Sequence, residues 1–230
     1  MLKRMCASDT QQLAAYLESR TEDIDCDIIA KVSTILQDVK TRRDDAVREY
    51  TQQFDGILLD SMRVEPSDIE AAAAKADPFF VESMKKAKAN IEYYHNAQKQ
   101  NGYLLQKELG IYLGQRVLPL DSVGIYVPAG RAQYPSSVLM NAIPARIAGV
   151  KRTVMITPPA KDGSLHPNIA AAARIAGVDE IYKVGGAQGI AALAYGTQSI
   201  ASVDKIVGPG TGFVAAAKKL VFGKVETGMI

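Results

Sequence analysis

The chain has 230 residues, enough for one large domain or two small ones with a buried core. Apolar residues make up 47% and charged residues 23%, as in ordinary soluble globular proteins, and the net charge is only +2. The densest basic run, Lys85-Lys86-Ala-Lys88, has no aromatic platform after it, so we interpret it as the solvated face of a helix and expect no nucleic-acid partner.

The cysteine content and the absence of long apolar runs bear on the compartment. Cys6 and Cys26 lie far apart with no CxxC spacing, which is typical of a reducing compartment and a protein without a disulfide framework. No apolar run approaches the roughly 20 residues of a membrane span. The N-terminal MLKRMCASDTQQ lacks the apolar core of a signal peptide. We therefore expect a cytoplasmic protein with no membrane partner.

Residues 25–100 are predicted to be helical. Apolar residues recur at helical spacing in two segments, Ile28, Val32, Ile35, Leu36 and Val39, and then Ala46, Val47 and Tyr50. Pro66-Ser67-Asp68 predicts a helix start with Ser67 as the candidate cap. A long helix is expected after Asp77-Pro78, to about Gln100.

The pattern changes after residue 100. Tyr103–Leu109 and Ile111–Val117 flank Gly110 and predict a pair of strands, in the form of a hairpin. From residue 121 a strand, a turn and a helix follow one another four times. The predicted strands are 122–127, 151–156, 180–184 and 205–207, and the predicted helices begin near 135, 169, 187 and 214. This order favours an α/β fold with a parallel sheet covered by helices.

The glycine turns of these units are the first candidate site. Gly208–Gly212 and Gly185-Gly186 each stand between a strand and a helix, as does Pro128-Ala-Gly130 after the first strand. Ligands of such sheets lie beyond the carboxyl ends of the strands, where free helix N–H groups favour an anion. The fingerprint G-x-G-x-x-G is absent, however, and no predicted strand carries Glu226, the acidic residue nearest the expected distance. A nucleotide-binding turn and a plain packing turn therefore both remain open.

Most of the other candidate site residues allow two interpretations. Tyr126 ends a strand and either lines a ligand crevice or belongs to the core. Gln188 follows the glycine pair and either reaches a ligand or is exposed without a role. Ser136 and Ser137 either hold a phosphate or cap a helix, and we favour the cap. Asp204 is interpreted as the end of a loop.

Residues for acid–base or metal chemistry are sparse. His95 and His166 share no motif with each other or with a cysteine. The sequence contains no HExxH, no GxSxG and no GxxxxGK[ST] motif. We therefore predict no catalytic residue and no metal ligand in this chain.

Several segments together resemble the histidinol dehydrogenases. They are VKTRRDDAVREYTQQFDG (39–56), SVGIYVPAG (122–130), SSVLMNAIPARIAGV (136–150), VGGAQGIAALAYGTQSI (184–200) and VDKIVGPGTGFVAAAKKLVFGKV (203–225). The resemblance extends from about residue 25 onward. It implies an NAD⁺- and zinc-dependent homodimer that oxidises L-histidinol to L-histidine through the aldehyde, in the last steps of histidine biosynthesis.

The resemblance also implies roles and a domain division. Tyr126, Gln188 and Thr211 match positions that contact NAD in the family, although the family usually has asparagine at the position of Thr211 and a larger residue at that of Gly212. It implies a Rossmann-like NAD-binding domain over residues 120–230. Residues 1–119 would form half of a second such domain, and without their sheet its helices would expose an apolar face unless a partner or a missing segment covered it.

Family members are much longer than this chain. After a segment like LVFGKV they continue into an Asp-Met-x-Ala-Gly-Pro-Ser-Glu motif, of which Met229-Ile230 would be the first residues. The family's zinc ligands and its Glu-His acid–base pair come later still. The expectation is a truncated histidinol dehydrogenase, inactive alone. The alternative is a non-catalytic module that binds a nucleotide or a partner.

Overall fold

The computed structural model of the chain describes residue 6 and residues 8–18, 25–129 and 132–228. The helices in these ranges are α1 (Thr10–Glu18), α2 (Cys26–Arg42), α3 (Asp44–Asp55), α4 (Pro66–Ala73), α5 (Pro78–Ala97), α6 (Pro135–Ile147), α7 (Pro167–Ala176), α8 (Gly186–Tyr195) and α9 (Gly212–Val221). The strands are β1 (Tyr103–Glu108), β2 (Ile111–Gln115), β3 (Ser122–Tyr126), β4 (Arg152–Ile156), β5 (Glu180–Tyr182), β6 (Lys205–Val207) and β7 (Glu226–Thr227). Within these ranges no helix has the length and apolarity to cross a lipid bilayer.

A five-stranded parallel sheet forms the centre of the fold, with strand order β5-β4-β3-β6-β7. The predicted α/β fold is therefore confirmed. From β3 the chain adds β4 and β5 on one side and then returns to add β6 and β7 on the other. The order reverses between β3 and β6, and a crevice at the carboxyl ends of such a strand pair is where sheets of this kind bind ligands.

Strand β7 corrects one prediction. Glu226 does lie on a strand, since Glu226 pairs with Lys205 and Thr227 with Ile206 in parallel register. Two residues are too few for a periodic pattern, so only the pairing with β6 reveals the strand. Gly130 and Met229-Ile230 lie outside the described residues.

Helices α2 to α5 cover both faces of this sheet as an outer layer. On one face α2 packs against α8 and α9, and α3 packs against α8. On the other, α4 packs against α7, and α5 against α6 and α7. Four apolar residues of α2 are buried, namely Val32, Ile35, Leu36 and Val39. The expected exposed apolar face is therefore wrong for α2, because α8 and α9 take the place of a missing sheet. A domain boundary at 119/120 stays a prediction.

Exposed apolar surface is found instead on the hairpin of β1 and β2. The two strands pair antiparallel, as predicted, and every residue in both is exposed. The large apolar residues exposed there are Tyr103, Leu104, Leu105, Ile111, Tyr112 and Leu113. Nothing in the described part of the chain covers them.

The predicted serine caps are wrong. Helices α4 and α6 begin with Pro66 and Pro135, whose fixed φ and missing N–H suit the first helical position. The N-cap is therefore the preceding residue, Glu65 in α4 and Tyr134 in α6, and neither side chain makes a capping hydrogen bond. Ser67, Ser136 and Ser137 consequently lie inside the first turn.

Candidate functional site

The candidate site lies at the carboxyl ends of β3, β5 and β6. All five strands run parallel, so the turns that follow them reach the same edge of the sheet. Tyr126 is the last residue of β3, the pair Gly185-Gly186 opens α8, and Gly208–Gly212 leads from β6 into α9. Two helix N-termini therefore flank the end of β3.

The Gly208–Gly212 turn is shaped by packing. Gly208 has φ +105°, and a Cβ there would lie 2.2 Å from the carbonyl oxygen of Tyr126. A Cβ on Gly210 would lie 2.3 Å from a methyl carbon of Val214. The Lys218 ammonium donates a hydrogen bond to the Gly208 carbonyl at 3.0 Å. Contacts within the chain thus explain why both positions are glycine, as the packing interpretation requires.

A cavity of about 620 Å³ opens beside this turn. Ser136 and Ser137, in the first turn of α6, line it together with Gly208 and Gly210. Lys218, which is 2% exposed, contributes a cation to the lining, and burial lowers the pKa of its ammonium. A space of this size suits a small molecule.

Tyr126 belongs to the core and also faces the second glycine turn. Its ring is buried among residues of α2, α8 and α9, and its phenol oxygen accepts a hydrogen bond from the Gly186 N–H at 3.4 Å. Burial raises the pKa of Tyr126, and the nearby charge of Asp55 raises it further. The two interpretations of Tyr126 are therefore compatible, since a core ring presents its hydroxyl at the end of the strand.

Gln188 is the most unusual residue of the site. The interpretation of this side chain as exposed is wrong, because it is 0% exposed. It folds back over Gly186, where a Cβ would lie 2.4 Å from Gln188 Oε1. Neither Oε1 nor Nε2 has a hydrogen-bond partner among the described residues. A buried amide left unsatisfied costs about 1–3 kcal/mol for each missing bond, so it calls for an explanation.

Thr211 stands apart from this pair. It is exposed and occupies the N-cap position of α9, where its carbonyl accepts the Ala215 N–H at 2.9 Å. Its hydroxyl makes no capping hydrogen bond. The three predicted NAD-contact residues therefore share one edge of the sheet. Only Tyr126 and Gln188 approach each other, through Gly186.

Sequence reasoning missed two further polar residues near these turns. One is Lys218, which reads as part of a basic pair at the end of an amphipathic helix. The other is Asp55, the last residue of α3, whose Oδ2 is buried with no hydrogen-bond partner among the described residues. The sequence signal for Asp55 was its place at the C-terminus of a predicted helix, where the helix dipole favours a cation over a carboxylate.

The histidines form no metal centre. Nδ1 of His166 accepts the Asn168 N–H at 3.2 Å and so caps α7, while the His95 ring lies edge-on to Tyr94. Within the described ranges no group of three or more His, Cys, Asp or Glu is placed to hold a metal ion.

Comparison with known proteins gives one consistent result. A family model described as histidinol dehydrogenase matches residues 18–230. A histidinol dehydrogenase of Listeria innocua is 54% identical over 219 residues, which is 95% of this chain and 50% of the relative. One of Clostridium acetobutylicum is 52% identical over 222 residues, which is 96% of this chain and 52% of the relative.

A solved structure agrees with these relatives. The crystal structure of histidinol dehydrogenase from Elizabethkingia anophelis superposes with a TM-score of 0.84 at 36% identity, covering 91% of this chain and 48% of that one. The chain thus spans about half the length of the relatives that it matches.

Proposed function

Because this chain belongs to the histidinol dehydrogenase family, we propose that it supplies the dinucleotide-binding half of an enzyme that oxidises L-histidinol to L-histidine through the aldehyde, with NAD⁺ as the oxidant. The observation that carries the proposal is the buried Gln188 amide beside Tyr126, which lacks a partner in the described part of the chain.

The residues present fit a nucleotide. The Gln188 amide offers a donor and an acceptor that the described protein does not use, and it lies in the first turn of α8, where N–H groups favour a phosphate. The Thr211 hydroxyl, exposed at the start of α9, replaces the amide that the family usually has there by a single group that both donates and accepts. When bound, NAD⁺ supplies the hydride acceptor for the oxidation. The part of this chain is to hold and orient it.

The described residues do not fit zinc. A catalytic zinc site takes three protein ligands, and no such group is formed within the described ranges. We therefore assign no zinc-dependent step to this chain. The zinc ligands and the acid–base pair are proposed to lie in the half of the relatives that this chain does not span.

The proposal includes a cytoplasmic homodimer. The apolar residues exposed on the hairpin of β1 and β2 support self-association, because such surfaces mark protein interfaces. The same hairpin also supports a second candidate function, a non-catalytic module that binds a partner protein. Co-elution with a full-length family member, without NADH formation from L-histidinol, would favour that module.

Calorimetric titration with NAD⁺ tests the proposal. We expect the chain to bind NAD⁺ and Gln188→Leu to lose at least about tenfold in affinity, because the amide no longer meets the ligand. Removing an unsatisfied buried amide should leave the free energy of unfolding unchanged or raise it. Gln52→Leu, on the exposed surface of α3, is the matched control. No binding by the unsubstituted chain would contradict the proposal.

A further inference from the structure

We draw no further inference here: the strongest candidate, the largely apolar groove of about 850 Å³ between the end of α5, the base of the β1–β2 hairpin and α6, is an uncovered face, and nothing in the described part of the chain shows what covers it.

Discussion

Asp204 Oδ2 accepts two hydrogen bonds from Ser122, one from the backbone N–H and one from Oγ, each at 2.8 Å. Asp204 precedes β6 and Ser122 opens β3, so the bonds join the amino ends of neighbouring strands. Asp179 repeats the arrangement with Thr153 at 2.7 Å, between β5 and β4. These two contacts hold the sheet at the edge opposite the candidate site. The interpretation of Asp204 as a loop end misses this role.

The Asp204–Ser122 contact predicts a loss of stability on its removal. Asp204→Ala should lower the free energy of unfolding by about 1–3 kcal/mol, because the buried Ser122 loses a charged acceptor. Urea denaturation measures this. The control is Asp121→Ala, which removes only an exposed ion pair with Lys151 at 3.6 Å and should cost less than about 1 kcal/mol. Equal losses in the two variants would contradict the assigned role.

The glycine turn gives a second prediction. Gly208→Ala places a Cβ 2.2 Å from the Tyr126 carbonyl oxygen at φ +105°, so steric overlap adds to backbone strain. We expect the free energy of unfolding to fall by more than about 3 kcal/mol. Gly223→Ala, at φ +91° with no atom within 4 Å of the new Cβ, should lose only about 1–2 kcal/mol. Similar losses would mean that the turn relaxes without disturbing β3.

Burial raises the pKa of Asp55, which predicts a pH-dependent effect on stability. A carboxyl whose pKa is higher in the folded chain contributes stability below its unfolded pKa, and this contribution is lost as the pH rises through the folded value. Asp55→Asn has no carboxyl group at this position, so it avoids this loss of stability at higher pH. The variant should therefore have a higher Tm than the unsubstituted chain at pH 7, and the difference should shrink at about pH 4, near the unfolded pKa.

Thermal unfolding followed by circular dichroism at both pH values checks this prediction. Asp45→Asn controls for the removal of one negative charge from α3. A Tm difference that is the same at both pH values would show that burial does not destabilise the Asp55 carboxylate.

The exposed hairpin predicts the outcome of a sedimentation experiment. If its apolar surface joins two copies, replacing the facing pair Leu105 and Leu113 by lysine and glutamate should yield a species of 24.8 kDa. The free energy of unfolding of that species should be nearly unchanged, since both side chains are already exposed. Leu58→Lys, exposed outside the hairpin, is the control. A monomer before substitution would contradict the proposed homodimer.

The sequence predicts regular elements better than it predicts the site. Strands β3 and β4 and helices α8 and α9 were expected from apolar spacing and glycine, which act locally. The burial of Gln188 was not expected, since a polar residue after a glycine pair is ordinarily solvated. The sequence around Gln188 held a signal for its burial, because all the remaining residues of α8 from Ala187 to Ala194 are small or apolar and are also buried. Asp55 acquires its setting only when α3 packs against α8, a contact between segments far apart in the chain.

The two-stranded hairpin leaves both of its outer strand edges without a partner strand in the described part of the molecule. Peptide N–H groups on such edges bond to water, and a ribbon of two strands is barely stable by itself. Deuterium should therefore replace these amide protons quickly in the isolated chain and slowly once further polypeptide covers them. The hairpin would then serve as a built-in reporter of assembly, read from exchange rates without any added label.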